Sequence, residues 1–177
     1  MTQNNLGVAL RAIGHRDGDV MGAAKAADLY GEVLKTIDRS ASPQLWAQTQ
    51  NNLALALSDI ANMVQDAAAA EGAVAAHRAA LEIYTREANP TEWVSGELGL
   101  GSELMTLAFL KGDDPDLLRQ SVAEHSKAIA AIDPAMDPAN WAIAHQSRAL
   151  TLDTLSDSTR DPTMLDEAMA DARIARD

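Results

Sequence analysis

A chain of 177 residues with 47% apolar content is long and apolar enough to bury a continuous core, which argues against disorder over most of its length. Its apolar residues are mainly Ala and Leu, with only six aromatic residues, so the β-branched and aromatic supply that sheets draw on is missing and helix is expected. A net charge of −12 repels phosphate backbones and anionic lipid heads, so neither nucleic acid nor membrane is an expected partner, and the absence of Cys excludes disulfides and thiolate chemistry.

Taken in chain order, the periodicity predicts eight helices, roughly 2–15, 19–39, 43–64, 67–87, 91–111, 115–132, 139–157 and 162–176. The first opens on Thr2-Gln3-Asn4-Asn5-Leu6, and no basic segment followed by an apolar signal core is found there. No apolar run reaches the length of a membrane span, so a soluble, cytoplasmic protein is expected. The second helix carries Ala26-Ala27. The third begins at Pro43, carries Trp46 and then repeats the opening motif as Thr49-Gln50-Asn51-Asn52-Leu53, an offset of 47 residues. Its Leu53, Ala54, Leu57, Ile60, Ala61 and Val64 fall at three- and four-residue steps on one face, which must be buried.

The fourth helix shows a similar stripe in Ala70, Ala73, Val74, His77, Ala80, Leu81 and Tyr84, with small residues where helix axes must approach closely. The fifth follows Pro90, carries Trp93 and has Leu98-Gly99 in place of the Asn pair. Asp114-Pro115 places a side-chain acceptor before a first-turn Pro at the start of the sixth, which carries Ser121-Val122. The seventh follows Pro138, carries Trp141 and reads Gln146-Ser147-Arg148, with Arg148 where the earlier copies have Leu. Asp161-Pro162 opens the eighth, whose Ala168-Met169 matches Ala73-Val74. These matches divide a single domain, 1–177, into four helix-pair repeats at roughly 1–42, 43–89, 90–137 and 138–177.

Asn51 to Ala54, Ala73, Ala80 to Tyr84 and Asn89-Pro90 together resemble tetratricopeptide repeats, in particular the long-period variety of kinesin light chains and bacterial arrays. The fold expected on this basis is all-α: a right-handed superhelical solenoid of four antiparallel helix pairs, about eight helices, with a concave and a convex surface. The resemblance implies a protein-protein interaction module that takes a peptide or protein segment in its concave groove. It is specific for architecture and carries no particular partner.

On the Trp-bearing helix of the second repeat, the side opposite the buried stripe holds Gln48, Asn52, Leu55 and Asp59, with Asp59 its only charge. Equivalent positions include Asn5 and Val8 in the first repeat and Ser102 in the third, and Arg11 lies close by. An Asn amide both donates and accepts, so a row of them can grip an extended backbone, and the resemblance assigns that role to Asn5 and Asn52. With one nearby cation the groove is unsuited to a partner's carboxylate tail, and with Asp59 it suits a neutral or basic peptide.

A second reading is a structural module, expected to contact itself, including as a homodimer, or the rest of a larger repeat-containing signalling or protease-linked protein, through the apolar stripe of Met164, Leu165, Ala168, Met169 and Ala172 on the last helix, with Leu165 and Met169 foremost. No enzyme, cofactor or metal is expected. His77 and His125 recur at the position of Tyr30 and read as packing residues, and no spaced His pair or Glu-x-x-His cluster supplies metal ligands. Gly96, Gly99 and Gly101 lie within a helix and follow no strand, so they read as close helix contacts and not as a phosphate loop.

Overall fold

The structure, a computed structural model, describes residues 3–176, so Thr2 of the first repeat motif lies outside the described residues. The described residues form eight α-helices and no strand: α1 Gln3–Asp17, α2 Val20–Thr36, α3 Pro43–Val64, α4 Ala67–Leu81, α5 Pro90–Leu110, α6 Pro115–Ile129, α7 Pro138–Thr159 and α8 Leu165–Arg176. The chain divides into two compact units, 1–88 with α1 to α4 and 89–177 with α5 to α8. Within each unit, consecutive helices pack against one another, so each unit is two helix hairpins laid side by side.

Local chemistry sets the hairpins. Asp19, Asp66, Asp114 and Asp161 each accept a hydrogen bond from the backbone N–H two residues ahead, which stops one helix and starts the next within a few residues. Pro43, Pro90 and Pro138 occupy first-turn positions, where a missing N–H costs nothing. Some helices end before their apolar pattern does. The second stops at Thr36, not 39, because Ile37 turns extended and the Asp38 carboxylate collects the Ser40 and Ala41 N–H groups. The fourth stops at Leu81, not 87: Ile83 and Tyr84 both donate to the Ala80 carbonyl in a tightened turn, which still buries the Tyr84 side chain. The sixth ends at Ile129, and the predicted eighth begins with a single 3₁₀ turn over Pro162–Met164.

The core of the first unit is built on Ala: residues 23, 26, 47, 54, 56, 61, 70, 73 and 80 are fully buried Ala, around Tyr30 and His77. Small side chains let helix axes come close, and the larger groups fill what remains. Gly7 is needed for this, since a Cβ there would lie 2.5 Å from Cζ of the buried Tyr30. The second unit repeats the device at Gly101, where a Cβ would lie 2.8 Å from Nε2 of His125. Gly101 is thus a packing residue. Its unit uses more Leu than the first, with Leu100, Leu104, Leu107, Leu118, Leu152 and Leu155 buried.

Candidate functional site

The predicted groove residues of the first two repeats share one face of α1 and α3. Two side-chain bonds pin these helices together: Asn4 Nδ2 donates to Thr49 Oγ1 at 2.9 Å, and Arg11 Nη1 to Asp59 Oδ2 at 3.2 Å. Asn4 is buried by this contact, which leaves its neighbour Asn5 facing outward and exposed. Val8 and Gln48 are exposed with it, while Asn52 and Leu55 are half-buried. Asp59 departs from its expected role. Its side chain is only 14% exposed and is neutralised by Arg11, with His15 Nδ1 3.9 Å away, so it does not offer the free negative charge that favoured a basic peptide. Ser102 is exposed on α5 and belongs to the other unit.

Sequence reasoning missed a polar network in the fourth repeat. Asp171, 2% exposed, accepts from Arg148 Nε at 2.6 Å and Nη2 at 2.8 Å, and pairs with His145 Nδ1 at 2.7 Å. Arg148 also donates to Ser126 Oγ at 3.0 Å, and Trp141 sets an edge against the His145 ring. Burial pushes the Asp171 carboxyl up, but the Arg148 and His145 hydrogen bonds and charges outweigh it and hold the group below its ordinary range.

The signal was in the repeat alignment. Positions 3, 50, 97 and 145 are all polar, and the partner positions 29, 76, 124 and 171 turn from Leu and Ala to Glu and Asp in the last two repeats. In the third repeat the same pair is Glu97 and Glu124, which share a hydrogen bond, with Lys127 bound to Glu124 and 3.9 Å from Glu97. Burial, then the bond to Glu124 and its charge, raise the Glu97 carboxyl to about 7 against a weaker pull from Lys127. His77 and His125, both buried, are depressed to about 4 chiefly by burial. Glu97, His77, His125, His145 and Asp171 are buried among the helices, where their charge states bear on stability. Among the described residues no group of three or more His, Asp or Glu is placed to hold a metal ion.

The apolar stripe on α8 is only partly free. Met164 packs against Ala108, Leu118 and Leu155, and Ala168 is buried, so both belong to the core. Leu165 is half-buried, Met169 is 49% exposed and Ala172 is exposed. With Gln146, Leu150 and Asp153 of α7 they line an open, mainly apolar groove of about 570 Å³. Its depth has a sequence cause: the position filled by Tyr30, His77 and His125 is Ala172 here, beside Ala149.

Neither a family model nor a curated protein matches the chain. Among solved structures, a chain described as the DHF58 filament is similar with a TM-score of 0.50 and 15% identity, over 98% of this chain and 89% of that one. At that identity the likeness is one of fold: an all-helical chain of packed helix pairs. No helix among the described residues is long and apolar enough to cross a membrane.

Proposed function

We propose that the chain is a protein-binding module of the tetratricopeptide type, which takes an extended, neutral peptide segment on the α1–α3 face. The observation that carries this reading is the surface left when Asn4–Thr49 and Arg11–Asp59 clamp the two helices: Asn5 and Asn52 one repeat apart on an exposed face whose one acid is already paired. Free amides that both donate and accept suit a peptide backbone, and the half-buried Leu55 and exposed Val8 give apolar side chains a resting place. Pairing of Asp59 moves the expected partner from basic toward neutral. The test is selection of displayed random peptides on the wild-type chain, followed by titration of the selected peptides against Asn5→Ala/Asn52→Ala. Loss of about tenfold or more in affinity is expected for two amides removed from backbone contacts, and unchanged affinity for every selected peptide would sink the reading.

A second reading, self-association, is favoured by a different observation: the apolar groove of α7 and α8, with Met169 at half exposure on its wall. The name of the similar solved chain, a filament, is compatible with this but carries no weight of its own.

A further inference from the structure

We propose that the α7–α8 groove takes helix α1 of a second copy of this chain, so that copies join head to tail. This rests on the self-association reading and names its partner. The support is that the same seat is seen filled twice within the chain. In the first unit α3 lies on the α1–α2 hairpin, with Leu53 and Ala56 packed on Ala26, Ala27 and Tyr30. In the second unit α7 lies on the α5–α6 hairpin, with Leu155 packed on Leu118. By repeat position, the α8 counterparts of Ala26, Ala27 and Tyr30 are Ala168, Met169 and Ala172, which line the groove. The seat is therefore the one that receives the first helix of a repeat.

Helix α1 presents the matching key. Leu6, Ala9 and Ile13 stand at the positions of Leu53, Ala56 and Ile60, residue type for residue type. In α3, Leu53 and Ile60 are half-buried and Ala56 is fully buried, whereas Leu6 and Ile13 are 45% and 51% exposed. A large side chain entering beside Ala172 also fills space that Tyr30 occupies in the first repeat, so the truncated position and the unpartnered stripe complement each other.

Charge places no bar on the junction. By repeat position the α7 counterparts of Arg11 and His15 are Asp153 and Asp157; Asp153 lines the groove together with Arg176, and on α1 Arg11 is already paired with Asp59 and Arg16 with Asp17, so the contact rests on the apolar fit. A junction of this kind is heterologous, since the two surfaces differ, and it leaves one groove and one α1 open on every linear assembly.

The test is sedimentation velocity over a concentration series of the wild-type chain, of Ile13→Asp and of Met169→Asp, and of the two variants mixed. Both positions are half-exposed, so the variants should keep their helical signal and melting temperature, which circular dichroism checks. The wild type is expected to gain mass with concentration, each variant alone to weaken association by about tenfold or more, and the equimolar mixture to form a one-to-one heterodimer and nothing larger. The mixture is decisive because each variant keeps the surface the other has lost. If Ile13→Asp associates like the wild type while Met169→Asp does not, the groove pairs with itself, and the head-to-tail proposal fails while self-association stands. Association that persists in both variants overturns the proposed site. A wild type that stays monomeric at every concentration overturns both the proposal and the reading beneath it.

Discussion

Replacing Asp171 with Ala tests whether the fourth-repeat network holds that hairpin together. The substitution removes an acceptor of two guanidinium bonds at 2.6 and 2.8 Å and an imidazole bond at 2.7 Å, and leaves Arg148 with a side chain only 16% exposed. Stranding one partner of such a pair costs about 3–5 kcal/mol; Glu167, 3.8 Å from Arg148 and accessible to water, can recover part of this, which favours the lower end. For an unfolding unit of this size, about 3 kcal/mol lowers Tm by roughly 12–25 °C, readable by scanning calorimetry at pH 7. The control is His145→Gln/Arg148→Leu/Asp171→Ala, which installs the Gln50, Leu53 and Ala76 set of the second repeat. With no buried charge left to strand, it should melt within about 1 kcal/mol of wild type. Acid gives a further check. The Asp171 carboxyl lies below its ordinary range when folded, so its contribution is present above the unfolded value of 3.8 and is lost as pH falls through the folded one. A cost for Asp171→Ala under about 1 kcal/mol, or a triple variant as weak as the single, would refute this account.

Glu97→Gln should raise stability at pH 8. The Glu97 carboxyl sits at about 7 when folded against 4.5 unfolded, so wild type is favoured while it is protonated and loses that contribution between those values; a chemical-denaturation series across pH 4 to 8 should show this loss with rising pH removed in the variant, leaving the opposite trend set by the buried histidines. His77 has the opposite sign: depressed to about 4 from 6.5, it makes the wild type lose stability as pH falls through that window, and His77→Leu should reduce the loss to the share that His125 contributes while remaining folded at pH 7. Gly101→Ala should destabilise by about 1–3 kcal/mol, because the new Cβ meets the buried His125 ring, and adding His125→Ala should relieve the clash and give a favourable coupling in a double-mutant cycle. Tyr30→Phe should be neutral or stabilising by about 1 kcal/mol in urea melts, since the buried hydroxyl has no hydrogen-bond partner among the described residues.

Much of the architecture lies in the order of residues. A 47-residue self-match, Ala-rich stripes at helical spacing and Asp or Pro at helix starts determine eight helices in pairs, because capping and periodicity are local effects that hold wherever the segment sits. Helix ends were less legible where a local turn cuts short a continuing apolar pattern, as at Asp38 and Ala80. The candidate surfaces were legible by position and not by partner. Helical phase alone puts Asn5, Gln48 and Asn52 on one side, but only the packing of α1 on α3 shows that Asn4 is consumed by Thr49 and Asp59 by Arg11. Likewise Arg148 stood out as a departure from Leu, yet its meaning depends on Asp171, 23 residues away and brought to it by the α7–α8 hairpin. Which charges neutralise each other and which apolar residues remain uncovered are questions of distance in space. A one-dimensional pattern fixes the face on which a side chain starts, and only the folded hairpins decide what it meets there.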